Sequence, residues 1–293
     1  MKHMASIFPA LMTPFTRQDD INETVLRQMV HWQLGQGVDG FFLCGSSSEA
    51  YAMTVEERKR VVEIVTDEVA GRCPLIAHIG MIATRDALDL ARHAKSCGVD
   101  AMASVPPFYY RFSQEELEQY YLDLVDAVDL PMFLYNISIF TGVNFTVDNA
   151  RRFLEDPRFA GMKHTCVDLG ALNAFKRANP NWVLFGGMDD ILLGAFQLGA
   201  DGGIGSNYNA LPGPFVKLYR LFREGRTAEA QALQFGLNEV LADMGKVGGF
   251  PSVKGVLRLM GLDVGDCRKP FRSLTEEDMA YLKDIVLPKL EAL

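Results

Sequence analysis

A lysine stands inside a short, mostly apolar stretch, Arg158-Phe159-Ala160-Gly161-Met162-Lys163-His164-Thr165-Cys166, with Pro157 before it and a helical pattern from Asp168. The stretch reads as a strand between two helices, and strands of alternating chains are normally buried on both faces. Burial strips water from an ammonium and favours the neutral amine, a nucleophile suited to carbonyl carbon. The plainer reading is that Lys163 snorkels to the strand end and pairs with a carboxylate. Other groups capable of chemistry recur just after strand-like runs: Ser46-Ser47-Ser48, Tyr109-Tyr110, Tyr135, Gly187 with Asp189 and Asp190, and Ser206. Small hydroxyls and backbone N–H groups can hold a carboxylate. An amine, a phenol and such a nest together suggest an imine with a 2-keto acid. The amine attacks the ketone, the iminium withdraws electrons, and a C–C bond beyond it breaks. The phenol moves protons. Each group also has a structural reading. Three serines make an ordinary turn, a buried tyrosine is often a hydrogen-bonded core residue, and Asp189 and Asp190 are equally suited to cap the next helix.

The elements that must position these groups alternate along the chain. Strand patterns run over Ile7–Met12, Val38–Cys44, Pro74–Ile79, Asp100–Val105, Pro131–Tyr135, Arg158–Cys166, Trp182–Phe185 and Asp201–Ile204. Helical patterns between them run over Thr24–Gly35 with Asn22 as cap, from Thr54 to Ala70, Thr84–Cys97, from Ser113 to Val128, Phe145–Leu154, Leu169–Ala178, Asp189–Leu198 and Pro214–Glu224. Thr54 and Ser113 each open a capping-box pattern. Eight strand-helix units match a closed (β/α)8 TIM barrel of α/β class, whose chemistry sits at the C-terminal strand ends. An open doubly wound sheet usually carries a Gly-rich phosphate loop after its first strand, and none stands here. The barrel is expected over residues 1–225 with the active site. Residues 226–293 read as a C-terminal helical appendage with helices over Thr227–Lys246, Val253–Met260 and Glu276–Leu293.

Composition narrows the function classes. The 293 residues carry a net charge of −8 with 48% hydrophobic residues, which fits a sizeable core and speaks against nucleic acid or anionic membrane as partner. No apolar run approaches the roughly 20 residues of a membrane span. Met1-Lys2-His3-Met4 is not followed by the apolar core of a signal peptide. The five cysteines, Cys44, Cys73, Cys97, Cys166 and Cys267, lack zinc or redox spacing, a usage that fits a reducing cytoplasm. The five histidines lack metal-ligand spacing and read as structural or surface residues. Neither a metal nor a nucleotide cofactor is expected.

From about Phe8 to Phe271 the chain resembles the dihydrodipicolinate synthase / N-acetylneuraminate lyase family of pyruvate-dependent class I aldolases. Gly45-Ser46-Ser47-Ser48-Glu49 stands where that family has Gly-[Ser/Thr]-Thr-Gly-Glu, Tyr135-Asn136-Ile137 matches its Tyr-Asn-[Ile/Val]-Pro, and Gly161-Met162-Lys163-His164-Thr165 matches the stretch around its imine lysine. The lyase branch fits best. Pro107-Phe108-Tyr109-Tyr110-Arg111-Phe112-Ser113, Gly199-Ala200-Asp201-Gly202-Gly203-Ile204-Gly205-Ser206-Asn207-Tyr208-Asn209 and Cys267-Arg268-Lys269-Pro270-Phe271 are similar to its runs. The resemblance implies that Lys163 forms the imine, Tyr135 moves protons and Ser46 completes the relay. It implies that Ser47 and Ser48 bind the keto-acid carboxylate and that Thr165, Gly187, Asp189, Asp190 and Ser206 line the sugar pocket. It further implies a homotetramer in which the tyrosine at Tyr109 reaches toward a neighbouring subunit's site.

Departures from the family pattern bear on substrate. Ser48 replaces a glycine and Ser138 a proline. Phe140 stands where the synthase branch has an arginine, and it is larger than the aliphatic residue of the lyase branch. Asp190 is one methylene shorter than the lyase glutamate. The expected activity is cleavage of a 2-keto-3-deoxy sugar acid, first of all N-acetylneuraminate to N-acetylmannosamine and pyruvate. The alternatives are aldol cleavage or dehydration of a gluconate-type 2-keto-3-deoxy acid, the synthase reaction, and a non-catalytic barrel that binds a keto acid.

Overall fold

The computed structural model describes residues 4–293, and the expectation for the Met1–Met4 terminus therefore lies mostly outside the described residues. Eight strands run in order: β1 Ile7–Pro9, β2 Phe41–Leu43, β3 Leu75–His78, β4 Ala101–Ser104, β5 Met132–Asn136, β6 Phe159–His164, β7 Val183–Gly186 and β8 Gly202–Gly205. All adjacent pairs are parallel, and β1 pairs with β8. The ring closes where Ala10 bridges Phe42 just beyond β1. The sheet is thus the expected TIM barrel.

The helices are α1 Glu23–Gly35, α2 Val55–Val69, α3 Thr84–Cys97, α4 Gln114–Ala127, α5 Ser138–Thr141, α6 Arg151–Glu155, α7 Leu169–Ala178, α8 Leu192–Gln197, α9 Pro212–Arg223, α10 Thr227–Val247, α11 Gly249–Leu259, α12 Glu276–Tyr281 and α13 Leu287–Glu291. Asn22 caps α1, and the capping boxes at Thr54 and Ser113 both form.

Several helices differ from the sequence reading, which has no helix at α5 and begins α11 at Val253 rather than Gly249. The helix expected over Phe145–Leu154 begins only at Arg151, because Thr146 and Asn149 bond each other's backbone N–H through their side chains and hold a turn. The helix expected from Asp189 opens as a 3-10 turn over Asp189–Ile191, and α8 follows. The last helix is broken by a π-helical turn over Leu282–Val286. Pro288 follows this turn; it cannot donate to the ladder, and its ring crowds the carbonyl four residues before it.

Alternate residues of each strand point inward. Phe8, Phe42, Ile76, Ala101, Ala103, Phe133, Phe185 and Ile204 form a buried cluster inside the ring. Phe185 packs on Phe8 at 5.3 Å and on Phe133 at 5.7 Å between centroids. This aromatic plug fills the barrel beneath its C-terminal end. The opposite strand faces and the helices share the larger core.

Candidate active site

Lys163 lies on β6 and Tyr135 on β5, and a single irregularity makes them neighbours. Met132 pairs with Phe159, but Phe133 pairs with Gly161, so Ala160 is an extra residue on β6. Without this bulge Tyr135 would face Met162; with it, Tyr135 faces Lys163. Gly161 is the residue the bulge demands, since a Cβ there would fall 1.9 Å from the Val183 carbonyl oxygen.

The lysine is 4% exposed. Its Nζ lies 4.3 Å from the Phe42 ring centroid and 4.2 Å from that of Tyr135. Two aromatic faces therefore flank the amine. Among the described residues Lys163 has no ion-pair partner, so it does not take the carboxylate-paired form that the plainer sequence reading allows. Tyr135 is itself buried, with its ring edge-on to Phe42 at 5.6 Å and to His78 at 5.8 Å.

The serines follow β2 as a 3-10 turn over Ser46–Ser48. Left-handed residues bound it, Cys44 at φ 55° and Glu49 at φ 60°. The three side chains part ways. Ser47 Oγ meets the Oγ of Ser206, the residue that follows β8, at 2.6 Å beside the end of β1. Ser48 Oγ meets Thr13 Oγ1 at 2.6 Å, both residues fully buried, and the Ser48 N–H donates to the Gly45 carbonyl. The hydroxyl that departs from the family glycine is thus engaged below the turn. Ser46 lines an apolar cavity of about 240 Å³ with Tyr51, Phe108, Phe140, Phe250 and Phe271.

Glu49 is tied to residues far along the chain. Its Oε2 accepts the Arg268 N–H at 2.6 Å. The Lys254 ammonium sits 2.7 Å from Oε1, off the hydrogen-bond direction, so that attraction is one of charge. Both side chains are buried.

Gly187, Asp189, Asp190, Ser206 and Asn207 line a second cavity of about 480 Å³ with Asn238 of α10. A Cβ on Gly187 would fall 2.0 Å from Thr165 Oγ1, so only glycine lets β6 and β7 approach here. Asp189 Oδ2 accepts from the Asn207 N–H at 3.0 Å and from Asn207 Nδ2 at 2.7 Å, rather than capping the turn it opens. Its Oδ1 and the Thr165 hydroxyl are buried and, among the described residues, have no hydrogen-bond partner. Burial pushes the Asp189 carboxyl up to about 6, with the two Asn207 bonds and the Lys163 charge pulling the other way.

Most of the expected residues therefore converge on one mouth. Tyr109 and Phe140 are exposed, at 83% and 63%; Phe140 borders the apolar cavity beside Ser46, whereas Tyr109 lines neither cavity. Phe42, His78, Arg58, Thr13, Asn207 and Lys254 were not singled out from the sequence. A strand-end position was the available signal for His78, and the Thr13-Pro14 break after the first strand for Thr13. Nothing local marks Arg58 or Lys254. Among the described residues no group of three or more His, Cys, Asp or Glu side chains is arranged to hold a metal ion.

Residues 3–288 match the model of the dihydrodipicolinate synthetase family. An N-acetylneuraminate lyase of Salmonella newport is 39% identical over 292 residues, covering 99% of this chain and 98% of the relative. The structure of CdNal from Clostridium difficile in complex with mannosamine superposes with a TM-score of 0.95 at 32% identity, over 97% of this chain and 98% of that one. A catalytic lysine mutant of Ruminococcus gnavus sialic acid aldolase superposes with a TM-score of 0.96 at 28% identity, over 100% and 98% of the two chains.

Proposed function

From the premise that the chain belongs to the dihydrodipicolinate synthetase family, we propose that it is a class I pyruvate lyase that cleaves N-acetylneuraminate to N-acetylmannosamine and pyruvate. The observation that carries this reading is Lys163, buried, without an ion-pair partner, and aligned with Tyr135 by the β6 bulge.

In this mechanism the Lys163 amine adds to the C2 ketone of the open-chain sugar acid and expels water as the iminium forms. Tyr135 gives its proton to that departing water. The phenolate left then takes the proton of the C4 hydroxyl, the C3–C4 bond breaks, and its electron pair moves toward the iminium, leaving an enamine, the aldehyde and a phenol that returns the proton to C3. Protonation at C3 and addition of water then release pyruvate and return the amine. Ser46 continues the proton path from Tyr135. The iminium is the electron sink, so the chemistry needs no metal. The keto-acid carboxylate lies at the Ser46–Ser48 turn, where the Ser47 hydroxyl meets Ser206 and Ser48 braces the turn from below through Thr13. The polyol tail lies along Thr165, Gly187, Asp189, Asp190 and Ser206, with the unpartnered Asp189 Oδ1 and Thr165 hydroxyl as acceptor and donor.

The apolar cavity beside Ser46, with Phe140 on its rim, favours a second reading in which a shorter 2-keto-3-deoxy acid is cleaved. We further propose assembly of copies into a tetramer through the face that exposes Tyr109, Tyr110, Ile139, Phe140 and Val167, and residence in a reducing cytoplasm, consistent with five free cysteines. No helix among the described residues is long and apolar enough to cross a membrane.

Borohydride reduction in the presence of pyruvate, followed by peptide mapping, tests the mechanism. A reduced pyruvyl group on Lys163 is expected. A Lys163→Ala protein that still cleaves the sugar acid at near-normal rate would overturn it. Product analysis with N-acetylneuraminate and with shorter sugar acids separates the two substrate readings.

A further inference from the structure

We propose that His78, anchored by Arg58, is a positioning residue that sets both the carboxylate-binding turn and the Tyr135 ring; the inference rests on the imine reading of the site. His78 ends β3, buried and facing the barrel interior. Its Nδ1 lies 2.8 Å from the Cys44 carbonyl and its Nε2 lies 3.3 Å from the Val105 N–H. A carbonyl can only accept and an N–H can only donate, so Nδ1 carries the proton and Nε2 is bare. The ring is therefore neutral and locked in one tautomer. Burial and the nearby Arg58 charge also hold its pKa well below the usual histidine range.

The carbonyl it holds belongs to a strained residue. Cys44 has a φ of 55°, a region that non-glycine residues seldom occupy, and it directly precedes Gly45 and the serines. A strained conformation persists only when its surroundings over-determine it. Two contacts do so here: His78 Nδ1 donates to the Cys44 carbonyl, and the Cys44 thiol donates to the Arg58 carbonyl at 3.4 Å. The other face of the His78 ring system meets Tyr135 edge-on at 5.8 Å. One imidazole thus touches the backbone that aims the serines and the phenol that moves protons.

Arg58 fixes the backbone that carries the imidazole. It projects from α2, is 1% exposed, and among the described residues has no carboxylate partner. Its Nη2 donates to the His78 carbonyl at 2.7 Å and its Nη1 to the Gly80 carbonyl at 3.1 Å, clamping the backbone on either side of Ile79. The same Nη2 lies 3.4 Å from His78 Nδ1, farther than the Cys44 carbonyl, and Nη1 also donates to Met81 Sδ at 2.9 Å. A buried guanidinium directed at this segment is a costly way to hold a loop that only serves packing. It makes sense where backbone placement decides how a substrate carboxylate is met.

The test is borohydride trapping across a pyruvate series, with thermal melting as a fold control. His78→Asn keeps a donor where Nδ1 stands; His78→Gln moves it toward the Nε2 position; His78→Leu removes it. The half-saturating pyruvate concentration is expected to rise about tenfold or more in His78→Leu and His78→Gln and to stay within about threefold in His78→Asn. A purely structural role would lower the melting temperature and leave half-saturation where it was, and that result overturns the proposal. Equal loss in His78→Asn and His78→Gln overturns it as well, and this pair decides the matter if the leucine variant does not fold. An adduct in the unsubstituted protein with unchanged variants removes the positioning role alone. No adduct in the unsubstituted protein removes the imine reading and the positioning role with it.

Discussion

Replacing Lys254 by methionine should damage a turn that lies two hundred residues earlier. The ammonium is 2.7 Å from Glu49 Oε1, with the two side chains 1% and 0% exposed. It also donates to the Asp266 carbonyl at 3.0 Å and lies 4.6 Å from the Phe15 ring centroid. Methionine fills similar volume but leaves the Glu49 carboxylate buried with one N–H partner, that of Arg268. Breaking one half of a buried pair costs about 3–5 kcal/mol. For a chain of this size that is a fall of about 6–10 °C in melting temperature. Glu49 also sits in the left-handed region at φ 60°, so once unpaired it can relax and carry the serine turn with it. Half-saturating pyruvate in borohydride trapping should therefore rise along with the loss of stability. The double variant Glu49→Gln/Lys254→Met removes both charges and keeps an acceptor for the Arg268 N–H, so it should recover a substantial part of the lost stability. The reasoning is refuted if Lys254→Met loses less than about 1 kcal/mol, or if the double variant melts no higher than the single one.

Three further outcomes follow from the same geometry. Ser48→Ala leaves the buried Thr13 hydroxyl without its partner and loosens the turn, so urea denaturation should show a loss of about 1–3 kcal/mol together with a rise in half-saturating pyruvate, whereas Ser47→Ala should weaken trapping at little loss of stability. Burial raises Asp189 to about 6 from the usual carboxyl value near 4, so the folded state binds its proton more tightly than the unfolded chain, and the substrate-free protein loses stability as pH rises between those values. Asp189→Asn lacks this loss, and its stability relative to the parent should climb by about 2 kcal/mol between pH 4 and 7; a flat difference in paired denaturation curves would contradict the assignment. Gly187→Ala places a Cβ 2.0 Å from Thr165 Oγ1 and 3.0 Å from its Cα, so β6 and β7 must part; about 1–3 kcal/mol of stability and a raised KM for the sugar acid, with pyruvate trapping less affected, are expected.

Much of the barrel was legible because its signals are local. Apolar strand runs and the helix caps at Asn22, Thr54 and Ser113 each act over a few residues, and each forms as expected. The helix boundaries that differ turn on interactions the pattern does not encode. Thr146 and Asn149 trade backbone bonds, Asp189 turns to Asn207, and Pro288 forces a π-helical turn ahead of itself. The candidate site was legible as a set of residues at strand ends, since a lysine, a tyrosine, serines and an aspartate are conspicuous after apolar runs.

The sequence by itself determined that these groups exist, that eight strand-helix units carry them, and that strand ends must gather them at one mouth. Residue type and periodicity suffice for that, because hydrophobic burial responds to pattern rather than to partner. Only the tertiary structure decided which groups meet. A one-residue bulge at Ala160 sets Lys163 opposite Tyr135, Ser48 turns to Thr13 while Ser47 turns to Ser206, and His78 and Lys254 hold the two left-handed ends of the serine turn. Register, hydroxyl direction and buried charge pairing depend on contacts between residues up to about two hundred positions apart, and only the closed barrel brings those residues within reach of one another.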